Sequence, residues 1–393
     1  MTIEARREYL VAIRERYGNS TKKQKSLILE EFCKVCGYSR KYAIRILQGK
    51  VEPRRIKPGP KPVYDDLIVY HLYRLWQEMG QMCSKLMVAA IPKWLPYYKD
   101  PTFNEEIESK LAAISASSID RLLAKRKKAL RGLSTTRPSA FMKSKIPIEL
   151  IQGLITRPGF IEADTVAHCG NSAAGPFIST LTMTDLATAW TENRATWRKQ
   201  GEDIVKQIAD IERSLPFKMH GFSCDNGSEF LNESLVNYFK DNRPKPVQFA
   251  RRRPYKKNDA AHVEQKNDAT VRQIFGYERF DDQSLVDKMN EIYKVIWNPL
   301  VNYFKPTLKL MRKERIGGRL RKFYDKPRTP YQRLLESEEI SDERKERLRG
   351  KYYCLNPFTL RIQLDESLKA FMRRVKELNY QRSLTDDQTD GAA

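Results

Sequence analysis

Apolar positions change their period several times along the 393-residue chain, and each change marks an expected element. In STKKQKSLILEEFCKVCGYSRKYAIRILQGK, Leu27, Ile28, Phe32 and Cys36 recur at helical spacing. Gly37 breaks that helix, and Ser39 can cap a second one carrying Ala43, Ile44 and Leu47. Two short helices about a Gly-containing turn predict a helix-turn-helix over residues 1–52, with a plain helical hairpin as the alternative. VEPRRIKPGPKPVYDD alternates Pro with Lys and Arg, so residues 53–63 read as an extended basic linker. Helical spacing returns over 64–132. Its last helix, in ISASSIDRLLAKRKKALR, is capped by Ser115 or Ser117 and buried through Ile119, Leu122 and Leu123. Residues 133–149 read as a second linker.

From about residue 150 strand-like runs rich in Ile, Thr, Phe and Trp replace helical spacing. GFIEADTVAHCG, PFISTLTMTDL and TAWTENRATWR predict three consecutive strands, and GEDIVKQIADIERSL predicts a helix. FKMHGFSCDNGSEF is strand-like, EFLNESLVNYFKDN helical, PVQFARRRPY a strand and AAHVEQKNDATVRQIFGYE helical. Three meandering strands followed by alternating helix and strand predict an α/β core over 150–285. Its mixed five-stranded sheet would be flanked by helices, as in ribonuclease H-like domains. Residues 286–393 read as a mostly helical, basic region without a clear strand series, ending in a disordered tail, SLTDDQTDGAA.

Charge adds a partner to this outline. Lys and Arg total 72 against 49 Asp and Glu, a formal net charge of +23, which favours a polyanion and nucleic acid above all. The second helix of the first segment would present Arg40, Lys41 and Arg45. The last helix of the 64–132 segment would present Arg121, Lys125, Arg126, Lys127 and Lys128, giving two candidate DNA-recognition helices. No apolar run approaches the ~20 residues of a membrane span, and MTIEARREYL lacks the apolar core of a signal peptide. Six cysteines in this length predict no disulfide framework, so a reducing compartment such as the cytoplasm is expected. Cys33 and Cys36 form a lone CxxC without a second close pair, and read as the packed face of a helix rather than a zinc site.

The candidate chemistry lies in carboxylates at the ends of three different elements. Asp164 lies in the first strand, Asp225 ends the fourth, and Glu264 sits on the helix after the basic loop. They are separated by 225 − 164 = 61 and 264 − 225 = 39 residues. Carboxylates converging on a crevice suit Mg²⁺, and two such ions about 3.5–4 Å apart can activate an attacking oxygen and stabilise a leaving one. Glu162 shares a strand face with Asp164 and competes for its role. Asp185 reads as a turn residue, Glu229 as a helix-start acid, and Asp259 and Asp268 flank Glu264. His168 and His220 read as structural or substrate-contacting. Asn226 and Gly227 shape the turn after Asp225, with Asn226 supporting the site from behind. Arg251, Arg252, Arg253, Tyr255, Lys256 and Lys257 precede the Glu264 helix and would meet the phosphodiester near the cut. Helical geometry turns Lys266 away from Glu264 and makes Arg272 the better DNA contact of that helix.

EADTVAH, DNGSEF and RPYKKNDAAHVEQKN resemble the integrase catalytic core of bacterial insertion-sequence transposases, the DDE enzymes related to retroviral integrases. The resemblance is strong over residues 155–285. A weaker one, through the two helix-turn-helix signals and KPTLKLMRKERIGGRLRKFYDKPRTPYQRLLES, spans most of the chain. It implies a ribonuclease H-like fold and a catalytic, metal-holding triad of Asp164, Asp225 and Glu264 with Mg²⁺ or Mn²⁺, two ions per site. It also implies cleavage and strand transfer on double-stranded DNA, a homo-oligomer when active, and a cytoplasmic, nucleoid-associated location. Two alternatives stay open: a ribonuclease H-like nuclease without strand transfer, and a sequence-specific DNA-binding regulator derived from a transposase.

Overall fold

The computed structural model describes residues 2–50, 63–130, 157–172, 174–197, 201–224, 230, 233–240, 246–251, 267–316 and 319–390. The chain divides into two compact units, Met1–Val63 and Tyr64–Ala393.

The first unit holds three helices, α1 (Ile3–Gly18), α2 (Lys22–Cys36) and α3 (Arg40–Leu47). A capping box between Thr21 and Gln24 starts α2, and Gly37 stops it in the left-handed conformation that glycine adopts without a Cβ penalty. Leu10, Ile13, Ile28, Leu29, Phe32, Cys36, Ala43, Ile46 and Leu47 share its core. The stripe of α2 is rotated from the expected one, because Leu27 is 68% exposed while Leu29 is buried. Cys36 is buried and Cys33 packs beside it, as a helix face. Arg14 of α1 donates to the carbonyl of Ile46, which also accepts from the Gly49 amide at the end of α3, and so ties α1 to α3.

In the second unit the chain begins with α4 (Asp66–Glu78), α5 (Ser84–Trp94), α6 (Glu105–Ala112) and α7 (Ala116–Leu130). Ser115 caps α7 by accepting from the amide of Ser118, which settles the choice between Ser115 and Ser117. These helices share one apolar cluster with the rest of the unit. Trp94 donates to the carbonyl of Phe304, and its ring meets Phe304 and Phe358 edge-on.

Among the described residues, five strands form one mixed sheet flanked by helices, in the order β3-β2-β1-β4-β5. β1 (Phe160–Ala167), β2 (Ile178–Asp185) and β3 (Thr191–Trp197) are the predicted antiparallel meander. α8 (Gly201–Ser214) buries Ile204, Ile208 and Ile211, spaced by one helical turn, and returns the chain to β4 (Gly221–Cys224), which runs parallel to β1. After α9 (Glu233–Lys240), β5 (Gln248–Arg251) joins in parallel. Gly159, just before β1, has φ +110°, and a Cβ there would lie 2.3 Å from the carbonyl oxygen of Lys218. Only glycine fits where β1 and β4 begin side by side.

Beside the sheet lie a π-helical stretch, Asp268–Arg272, and a long helix that starts as α10 (Leu285–Glu291) and continues π-helical through Ile292–Trp297 and Leu300–Phe304. That helix closes the outer edge of β3. Asn302 accepts from the amide of Thr191 and donates to its carbonyl, at 2.9 and 2.8 Å. Asn290 does the same with Ala195, at 2.8 and 3.0 Å. Asn298 accepts from the Asn193 amide and donates to Glu192 Oε2. Four helical residues advance roughly 6 Å, close to the roughly 6.6 Å of two strand residues, so Asn298 and Asn302 keep step with alternate strand positions.

Two expectations for 286–393 are corrected. The basic stretch is not helical but an antiparallel ribbon of β6 (Leu310–Ile316) and β7 (Arg319–Tyr324). Gly317-Gly318 between the two strand sequences is a hairpin signal that the charge pattern obscured. After α11 (Pro330–Glu336) and α12 (Asp342–Tyr353), α13 runs from Pro357 to Asp390, through most of the segment expected to be disordered. Leu360, Leu364, Phe371 and Val375 anchor its first half, and extending a nucleated helix is far easier than starting one.

Candidate active site

Asp164 lies near the C-terminal end of β1, half-buried and level with Thr182 of β2. β1 and β4 are adjacent and parallel, with Phe160 paired to Gly221 and Glu162 to Ser223, an offset of 61. Ligands of open parallel sheets gather beyond the carboxyl ends of the strands, and Asp164 sits toward that end. Asp225, Asn226 and Glu264 lie outside the described residues, as do Gly227 and Glu229.

One described residue reaches Asp164 from elsewhere. Asn267, just ahead of the π-helical stretch, donates from Nδ2 to Asp164 Oδ2 at 2.7 Å. Its Oδ1 is buried with no hydrogen-bond partner among the described residues. A carboxylate beside an amide oxygen still able to accept makes a hard-oxygen donor set, and that fits Mg²⁺ or Mn²⁺. Among the described residues, no three His, Cys, Asp or Glu side chains cluster closely enough to hold a metal by themselves.

The surrounding polar groups form a connected layer. Asn193 donates to Thr182 Oγ1 at 2.9 Å and to Thr270 Oγ1 at 3.3 Å. The Trp297 indole takes up the Thr270 carbonyl at 2.7 Å, within a π-helical stretch whose wider turn frees such groups. Glu162 shares the Asp164 face but is only 3% exposed, so Asp164 is the more accessible of the two. Asp185 is the turn residue expected: it accepts from the amides of Gly159 and Thr188 and from the Thr188 hydroxyl.

Neither histidine is placed to act with Asp164. His168 is fully buried, with Nε2 2.8 Å from Thr180 Oγ1, which in turn meets the Tyr293 hydroxyl at 3.0 Å. Burial, helped by the charge of Arg272, pushes its pKa down to about 3, so the ring is neutral and structural. His220 immediately precedes β4, at the opposite end of the parallel strands from Asp164.

The expected DNA-contacting residues divide into several groups. Arg40, Lys41, Arg45 and Arg121 are exposed on α3 and α7. Arg126 of α7 is half-buried over the Tyr73 ring, 4.9 Å from its centroid, and donates to the Val69 carbonyl. Arg272 also turns inward, donating to the carbonyls of Ala167 and Gly276 at 2.9 and 3.1 Å, and it stacks on Tyr277. The carbonyl at the end of β1 that captures it carried no signal in the sequence. The backbones of Lys125, Lys127 and Lys128 belong to α7 and that of Arg251 to β5. Arg252, Arg253, Tyr255, Lys256 and Lys257 lie outside the described residues.

Sequence reasoning missed Asn267. An amide three positions after an acid carries no pattern of its own, and only the approach of its segment to β1 gives it a role.

No family model matches the chain. Among solved structures it overlaps the catalytic core domain of BIV integrase with a TM-score of 0.30 and 14% identity, over 46% of this chain and 95% of that one. It overlaps a chain of the simian T-cell lymphotropic virus intasome in complex with PP2A regulatory subunit B56 gamma with a TM-score of 0.26 and 12% identity, over 42% and 54%. Overlaps this loose fix neither fold nor activity. No helix among the described residues is long and apolar enough to cross a membrane. The sequence is 34% identical over 345 residues to the uncharacterized protein y4rM of Sinorhizobium fredii, covering 85% of this chain and 96% of that one, and the chain belongs to the family of that protein.

Proposed function

We propose that the protein is a DNA transposase with a ribonuclease H-like core, which cleaves DNA at transposon ends and joins the freed 3′-hydroxyl to target DNA. The observation that carries this reading is a match of register and spacing. β1 and β4 pair in parallel with an offset of 61 residues, and Asp164 and Asp225 are separated by the same 61. Cys224 closes β4 one residue before Asp225. Asn267, which holds Asp164, follows Glu264 by three positions, close to one helical turn. These relations support a triad of Asp164, Asp225 and Glu264.

Those three carboxylates would hold Mg²⁺ or Mn²⁺, which supplies positive charge to the phosphodiester and lowers the pKa of an attacking water or hydroxyl. Asn267 fixes the Asp164 carboxylate by a charge-assisted hydrogen bond, so that one oxygen is oriented before substrate arrives. The basic loop 251–257 would grip the phosphates beside the cut, with Tyr255 stacking on a base. Arg40, Lys41 and Arg45 on α3, with Arg121, Lys125, Lys127 and Lys128 on α7, would hold the terminal repeats. By the resemblance to insertion-sequence transposases, more than one copy of the chain would act in the complex that joins two ends.

The test is Asp225→Asn. Full-length mutant should bind labelled duplex ends as the wild type does while losing Mg²⁺-dependent cleavage. Full cleavage by the mutant would sink the assignment. Cleavage without joined products, given paired ends, would favour the nuclease reading instead.

A further inference from the structure

The β6–β7 ribbon is a basic blade on a fixed base. At the base, the Asp325 amide donates to the Lys309 carbonyl at 2.9 Å, and the Asp325 carboxylate accepts from the Lys309 amide at 2.7 Å and pairs with Arg333. The Lys309 ammonium donates at 2.7 Å to the Ala187 carbonyl, in the turn between β2 and β3, tying the ribbon to the sheet. Beyond that base, no third strand joins the two among the described residues.

The composition of the blade is lopsided. Its strands carry Arg312, Lys313, Arg315, Arg319, Arg321 and Lys322 against a single acid, Glu314, and Arg312 pairs with that acid at 3.1 Å. The guanidinium groups of Arg312 and Arg321 both stack on the Phe323 ring, 4.4 and 5.1 Å from its centroid, which holds them in place before any partner arrives. Lys313 and Lys322 are direct register partners, and like charges at opposed strand positions destabilise a ribbon standing alone. A polyanion lying along the ribbon removes that cost.

We infer that this ribbon is a docking element for duplex DNA, held through phosphates without regard to sequence, as target DNA would be. A two-stranded ribbon is narrow enough to enter the major groove. The strands contain no Asn or Gln to read adenine and no Ser or Thr, and their six Arg and Lys, which can also reach guanine edges, suit phosphate. Exposed Met311, Ile316 and Tyr324 give the blade apolar surface for sugars and groove walls. The inference rests on the transposase reading for the role of the DNA, but not for its binding.

The experiment measures binding of the full chain to random-sequence duplex by fluorescence anisotropy over a salt series, without divalent ions. Arg315→Glu with Lys322→Glu reverses two exposed ribbon charges, and Lys369→Glu with Lys376→Glu makes the same change on the exposed face of α13. The ribbon pair should weaken binding and flatten the log–log salt slope by up to about 1.8, at ~0.9 per lost phosphate contact. The α13 pair should do much less. An unchanged slope in the ribbon pair, or equal effects from both pairs, overturns the inference. Because no cleavage is read, a chain that proves catalytically inert yet needs its ribbon to hold DNA leaves the inference standing and removes only the transposase reading. The milder Arg315→Gln with Lys322→Gln should give an intermediate slope at an unchanged melting temperature, which separates loss of contact from loss of fold.

Discussion

Asn267 Nδ2 and Asp164 Oδ2 are 2.7 Å apart, joining positions 103 residues distant in the chain. The bond ties the start of a π-helical stretch to the half-buried carboxylate of β1, and it gives a handle on the site through a residue that is not itself one of the three acids proposed to hold the metal.

Asn267→Ala should therefore leave duplex binding intact and lower Mg²⁺-dependent cleavage by about 10–100-fold, the usual cost of losing a group that orients a metal-holding side chain. Asn267→Asp places a second negative charge beside Asp164 and should raise the Mg²⁺ concentration dependence of whatever cleavage survives. Steady-state cleavage across a metal series, with anisotropy as the binding control, reads both outcomes. Unaltered cleavage by Asn267→Ala would remove the residue from the site.

Glu162 and Asp164 share a face, but Glu162 is buried whereas Asp164 is only half-buried. Glu162→Gln should keep substantial cleavage and lower the melting temperature. Asp164→Asn should retain duplex binding and abolish cleavage. The reverse pattern would hand the role to Glu162.

The asparagine ladder predicts a stability effect away from the chemistry. Asn302 and Asn290 each exchange two hydrogen bonds with the backbone of β3, so Asn302→Leu or Asn290→Leu leaves buried amide and carbonyl groups open. Each should destabilise the core by about 1–3 kcal/mol. The freed strand edge should also promote self-association, visible in light scattering before unfolding. Equal melting temperatures in mutant and wild type would show that the ladder contributes nothing net.

His168 predicts a dependence on pH. Its folded pKa, about 3, lies below the ordinary value of 6.5, so between those values the unfolded chain binds a proton that the folded chain refuses. Stability from this group is complete above pH 6.5 and is lost as the pH falls toward 3, at up to about 1.4 kcal/mol per unit. Urea midpoints measured from pH 7.5 to 4.5 should fall less steeply in His168→Gln than in the wild type, even if that variant is less stable at pH 7.5.

Helical periodicity and runs of β-forming residues determined most of the elements, because each segment must meet its local conformational demands from its own sequence. The three-strand meander, α8 and the helix pair about Gly37 were legible for that reason. So was the place of Asp164 on a strand, within the β-forming run FIEADTVA. The ribbon was signalled by Gly317-Gly318 but hidden by its charges, since a strand exposed on both faces needs no apolar alternation.

What the tertiary structure alone decided concerns partners distant in sequence. That β4 settles beside β1 at an offset of 61 depends on how α8 returns the chain, and no residue in either strand encodes the number. Asn267, Arg126 and Arg272 looked alike as polar residues on helices. Packing sent Arg272 to the carbonyl of Ala167, Arg126 over Tyr73 and Asn267 to Asp164. A buried carbonyl, ring or carboxylate must be satisfied by whichever donor the fold brings within 3 Å or so, and that identity is fixed only when the chain has closed.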